Sequence, residues 1–90
     1  MSVSVAIPTP LRAFADGTRS VAVDADTGAA ALDQLTGRFP RLRPQLFAGE
    51  KLRTFVNVFV NEDNIRDIGG FGAALAAGDT VSIIPSIAGG

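Results

Sequence analysis

Gly89 and Gly90 close the sequence with the group best suited to chemistry, a carboxylate carried on two residues that have no side chains. An α-carboxyl ordinarily has a pKa of about 3.3–3.7, so it is ionised at neutral pH. Such a carboxylate can attack the α-phosphorus of ATP to give an acyl-adenylate, from which a sulfide or persulfide can displace AMP. Lacking Cβ atoms, both residues can pass through a narrow channel toward a phosphate. From Pro85 to Gly90 an extended chain spans roughly 17–20 Å, enough to enter a neighbour's buried site while the folded body stays outside. Gly90 is therefore the candidate reacting residue, Gly89 gives it access, and Ser86, Ile87 and Ala88 form the threading tail.

The other candidate groups carry less. Gly69-Gly70-Phe71-Gly72 could in principle cradle a phosphate on backbone amides, but no Lys-Ser or Lys-Thr follows and no acidic residue stands at dinucleotide spacing, so it reads as a loop. Glu62, Asp63 and Asp67 lack the regular spacing of a calcium loop and read as a solvated turn. Asp24, Asp26 and Asp33 flank a helix start, where the dipole stabilises negative charge. Arg38, Arg41 and Arg43 read as a solvated helix end. The chain has no cysteine and no histidine, which removes disulfides, thiolate nucleophiles, Cys/His zinc sites and imidazole acid–base chemistry together. An independent enzyme is the least expected outcome, and no cofactor is expected to be bound by the chain itself.

The elements that must position this carboxylate follow from periodicity. Ninety residues with 47% hydrophobic and 19% charged composition suit one packed domain. Val3, Val5 and Ile7 alternate as a half-buried strand ended by Pro8 and Pro10; Asp16-Gly17 is turn chemistry, and Val21 and Val23 resume the period of two, giving a hairpin with a broad loop. Asp26 or Thr27 can cap a helix whose Ala31, Leu32, Leu35 and Phe39 share a face and which Pro40 stops. Residues 41–51 read as an irregular connection with one short helical turn around Gln45 to Phe47. Phe55 to Asn61 is the strongest strand, with Val56, Val58 and Val60 toward the core. Ile65 and Arg66 read as a short edge strand, Ala73 to Ala77 as a helical turn closed by Gly78, and Thr80 to Ile84 as a last strand ended by Pro85.

Two strands, a helix and two or three further strands make an α+β domain with one helix covering one face of a mixed sheet. The other face stays open, so Phe55, Phe59 and Ile84 form an apolar patch of the kind that marks docking surfaces. The expected organisation is a domain over 1–85 and a flexible tail over 86–90. A net charge of −1 with scattered basic residues argues against nucleic acid or an anionic membrane as partner. No run approaches the roughly 20 apolar residues of a membrane helix, and the start lacks a secretory signal, so a cytoplasmic location is expected.

Val5-Ala6-Ile7-Pro8-Thr9, the run from Phe55 to Asp63, and Gly78-Asp79-Thr80-Val81-Ser82-Ile83-Ile84-Pro85, closed by Ala88-Gly89-Gly90, together resemble the MoaD/ThiS family of ubiquitin-like sulfur carriers, and within it the CysO-like branch. The resemblance implies the β-grasp fold, with the first and last strands parallel neighbours. It further implies adenylation of Gly90 by a MoeB/ThiF-type enzyme that uses ATP, conversion to a thiocarboxylate, and donation of sulfur to a biosynthetic enzyme. In CysO-like members the acceptor is a PLP-dependent cysteine synthase acting on activated serine, and a JAMM-type metalloprotease releases the amino acid. Ser86 and Ile87 stand where Ala and Val are common, and Phe71 where Leu is common; the carboxyl chemistry is untouched, while other sulfur-requiring pathways remain open. The alternatives are a ubiquitin-like protein modifier conjugated through Gly90 and a non-catalytic binding module.

Overall fold

The computed structural model describes residues 2–85, so the expected tail of Ser86, Ile87, Ala88, Gly89 and Gly90 lies outside the described residues. Strand β1 (Ser2–Ala6) pairs antiparallel with β2 (Ser20–Asp24), placing Val3 opposite Val23 and Val5 opposite Val21. All four valines are buried, as the period of two requires. The connection is not the expected broad loop but a 3₁₀ helix over Thr9–Ala15. Pro10 sits in its first turn, where a missing N–H costs nothing, and Leu11 and Ala15 gain burial in the core. Asp16 and Gly17 then turn the chain with φ of 55° and 77°.

Helix α1 (Gly28–Arg38) starts at Thr27, whose hydroxyl accepts a hydrogen bond from the Ala30 N–H at 3.1 Å. Ala31, Leu32 and Leu35 face the sheet and are fully buried; each leucine contributes roughly 1.5–3 kcal/mol by leaving water. Thr36 is also buried, and its hydroxyl donates to the Leu32 carbonyl at 2.9 Å. Pro40 opens a short 3₁₀ turn, Pro40–Leu42, followed by the single helical turn α2 (Arg43–Leu46). This turn begins two residues before the expected Gln45, because Pro44 fits the first turn of a helix and does not break it. Phe47 belongs instead to β3 (Phe47–Ala48), which pairs with β4 (Lys51–Leu52) across Gly49 at φ 70°. That ribbon replaces the irregular connection expected there.

Strand β5 (Val56–Val60) buries Val56, Val58 and Val60. The short strand after it is β6 (Asp63–Asn64), paired with Val60 and Phe59, not the expected Ile65 and Arg66. Ile65 opens a 3₁₀ turn, Ile65–Ile68, because Asn64 caps it through a hydrogen bond from the Arg66 N–H, which lets Ile65 drop into the core. Nor is there a helical turn at Ala73 to Ala77: Ala74 forms an antiparallel bridge with Thr27, and the Leu75 N–H donates to the Asp26 carbonyl at 2.8 Å. Seating Leu75 in the core against the start of α1 outweighs the local helical preference of alanine.

Strand β7 (Thr80–Pro85) completes a sheet in the order β2-β1-β7-β5-β6. It lies parallel to β1, with Val5 opposite Val81, and antiparallel to β5, with Val58 opposite Ile83. The first and last strands are thus parallel neighbours in an α+β, β-grasp arrangement. Helix α1 covers one face and the other is open.

Candidate functional site

The last described residue, Pro85, leaves the centre of the sheet. Val81 and Ile83 are buried on the helix side of β7, while Ser82 and Ile84 face the open side. The strand is paired on both flanks, with β1 over residues 80–82 and with β5 as far as Pro85, so β5 fixes the exit point and β1 anchors the half before it. The beginning of β7 is clasped as firmly. Gly78, at φ 88°, turns the chain, the Asp79 carboxylate accepts from the Ala76 N–H at 2.8 Å, and the Asn61 side-chain amide donates to Asp79 at 3.1 Å. The Ala76 N–H first, and the Asn61 amide second, hold the Asp79 carboxyl below its ordinary pKa. Asn61 also accepts from the Thr80 N–H, and the Ser4 N–H donates to the Asp79 carbonyl at 3.0 Å.

Phe59 and Ile84 come together as the sequence anticipated. Asn57 stands opposite Ile84 and Phe59 opposite Ser82, so Phe59 and Ile84 are diagonal neighbours on the open face. Phe59 is half-buried, Ile84 is 47% exposed, and Phe55, just before β5, is 44% exposed. This apolar surface lies at the end of the sheet from which the chain leaves toward residue 86. It offers contact area but no acid, base or nucleophile. The residues predicted to react and to thread, Gly90, Gly89, Ala88, Ile87 and Ser86, lie outside the described residues. Among the described residues no three acidic side chains converge as a cation site requires. None of the described helices is long and apolar enough to cross a membrane. The glycine-rich loop holds Gly69 and Gly70 at φ 111° and 77° and packs Phe71 against the core.

A second concavity escaped the sequence reading. Between α1 and the β3–β4 ribbon, Leu32, Phe47, Leu52 and Phe71 line a pocket of about 480 Å³, with Arg43 stacked 4.7 Å from the Phe47 ring centre. Its one sequence signal is the pair of apolar residues, Phe47 and Leu52, flanking the turn residue Gly49.

Comparison with known proteins follows the same outline. The model of the ThiS family matches residues 5–90. The sulfur carrier protein CysO of Mycobacterium tuberculosis (strain ATCC 25618 / H37Rv) is 39% identical over 93 residues, covering all of both chains. A chain in the crystal structure of the BexX/CysO complex of Amycolatopsis orientalis superposes with a TM-score of 0.88 at 39% identity, covering 98% of this chain and 99% of that one. The crystal structure of SAMP1 from Haloferax volcanii superposes with a TM-score of 0.85 at 33% identity over the whole of both chains.

Proposed function

The chain belongs to the ThiS family, and from that premise we propose that it is a sulfur carrier protein, a substrate of other enzymes and not a catalyst itself, whose Gly90 carboxylate becomes a thiocarboxylate. The observation that carries this reading is the full-length likeness to CysO of Mycobacterium tuberculosis, a protein named as a sulfur carrier. A MoeB/ThiF-type enzyme would bind the open face through Phe59 and Ile84 while Ser86 to Gly89 thread toward its ATP. The carboxylate oxygen attacks the α-phosphorus and pyrophosphate leaves. Sulfide then attacks the acyl carbon and AMP leaves, so sulfur replaces one carboxyl oxygen.

The thiocarboxylate donates its sulfur to a biosynthetic enzyme. The CysO-like resemblance favours a PLP-dependent cysteine synthase followed by a JAMM-type metalloprotease, and the complex of CysO with BexX in Amycolatopsis orientalis supports a partner enzyme engaging a protein of this shape. Intact-mass spectrometry tests the central step. Incubation with a MoeB/ThiF-type enzyme, ATP and sulfide should add the mass difference between sulfur and oxygen, and a chain lacking Gly90 should stay unchanged. A truncated chain that still gains sulfur would refute the proposal.

The likeness to SAMP1, a small archaeal modifier protein by name, supports a second reading in which a target lysine captures the same adenylate. Higher-mass conjugates in cell extracts that vanish on deletion of Gly90 distinguish it from the first.

A further inference from the structure

The two edges of the sheet are not alike. At one, β6 is only two residues long and gives way at once to a 3₁₀ turn, so little unpaired backbone is presented. At the other, β2 runs for five residues in unbroken register with β1, without proline, bulge or lysine. The Ile7 N–H donates to the Arg19 carbonyl at 2.8 Å, which sets the phase of this antiparallel pair. By alternation Arg19, Val21 and Val23 direct their backbone groups to β1, while Ser20 and Ala22 direct theirs outward. Among the described residues β2 has no neighbour on that outward side. Beside it runs a groove of about 800 Å³ between β2 and α1, floored by Ala30 and Gly37.

Charge along this groove is polarised. Where β2 ends, just before α1 begins, stands Asp26; where β2 begins and α1 ends stand Arg19 and Arg38, all exposed. None of Arg19, Arg38 and Asp26 has an ion-pair partner among the described residues. A strand added antiparallel to β2 must therefore offer an acid to the arginine end and a base to the aspartate end. The segment from Arg19 to Asp26 has that order itself. We infer that β2 is a self-association edge, on which a second copy of this chain pairs its own β2 antiparallel about a two-fold axis through Ala22.

Such pairing joins the two sheets with both α1 helices on one side, antiparallel, and brings the Arg38 end of each copy toward the Asp26 end of the other. A net charge of −1 opposes association only weakly. The open faces lie together on the opposite side, and the two β7 strands are separated by five strand spacings, about 24 Å, so both carboxyl ends stay available. One strand pair and two facing helix flanks make a small interface, for which a dissociation constant of about 0.1 mM is expected.

Sedimentation velocity of the full chain between about 0.01 and 2 mM should show a monomer–dimer equilibrium, with the amide signals of Ser20 and Ala22 shifting as concentration rises. Ala22→Pro removes only an outward N–H and should raise the dissociation constant at least about tenfold. Should that variant fold poorly, charge reversal serves instead. Arg38→Glu and Asp26→Arg should each weaken self-association by about three- to tenfold, and an equimolar mixture of the two should restore it as a heterodimer. A chain that stays monomeric throughout this range overturns the inference. So does a dimer indifferent to Ala22→Pro and to the charge reversals. A monomer whose β2 amides shift only when a partner enzyme is added would assign the edge to that enzyme and not to a second copy.

Discussion

Asn61 and Asp79, eighteen positions apart, face each other across the ends of β5 and β7 at 3.1 Å, the amide of one donating to the carboxylate of the other. Asn61 holds a left-handed conformation, φ 56°, which its short polar side chain tolerates better than most. The pair ties the turn that leaves β5 to the turn that enters β7. The element that carries the exit point is thereby fixed at its far end.

This relationship makes stability depend on pH. The folded state holds the Asp79 carboxyl below its ordinary value, so its contribution is present above that value and is lost as pH falls through the lowered one. Thermal melts of the wild type and of Asp79→Ala should differ at neutral pH, with the variant less stable. The difference should shrink as pH is lowered below about 4. A gap that stays constant to pH 2 would show that the carboxylate charge is not what stabilises the turn.

Ile84→Glu places a charge in the centre of the proposed docking patch. Because about half of Ile84 is exposed, stability should fall by no more than about 1 kcal/mol. The KM for this protein in pyrophosphate release by the activating enzyme should rise about tenfold or more, equivalent to about 1.4 kcal/mol. Urea denaturation checks the first half and steady-state kinetics the second. An unchanged KM would move the docking surface elsewhere.

Gly28 opens α1 in a buried position where a Cβ would run into Cδ1 of Ile65, itself in the core. Gly28→Ala would ordinarily favour a helix, yet here the crowding should dominate and destabilise the domain by about 1–3 kcal/mol. Chemical denaturation measures it. Pairing the change with Ile65→Val should recover part of the loss.

Thr27→Ala removes the acceptor for the Ala30 N–H and should cost about 1 kcal/mol, whereas Thr27→Ser should cost much less. Denaturation midpoints of the two variants separate the cap from the bridge to Ala74, because that bridge is made by the backbone and survives in both.

Strands were legible where periodicity ran long enough: Val3, Val5 and Ile7, then Val56, Val58 and Val60, then Val81 and Ile83 all point to the core as their spacing demands. The β3–β4 ribbon was not, because two residues per strand carry no period. Pro10 ends a strand pattern and Pro44 falls in a stretch without period, yet each stands in the first turn of a helical segment, the one place where proline fits. Ala73 to Ala77 misled through composition, since the partners that hold it extended, Asp26 and Thr27, lie some fifty residues earlier. At the candidate site the placement of Phe59 and Ile84 away from the core could be read from alternation. Their diagonal placement depends on the register between β5 and β7, which only the folded sheet sets.

The central place of β7 governs how the domain responds to force. A partner that grips the carboxyl end and draws it inward pulls along the strand axis, against two rows of hydrogen bonds at once, one to β1 and one to β5. All of them must shear together, whereas a strand on the rim would peel away bond by bond. The domain can therefore be hauled against an enzyme's surface by its last few residues without unravelling, which makes this terminus a towline fastened amidships.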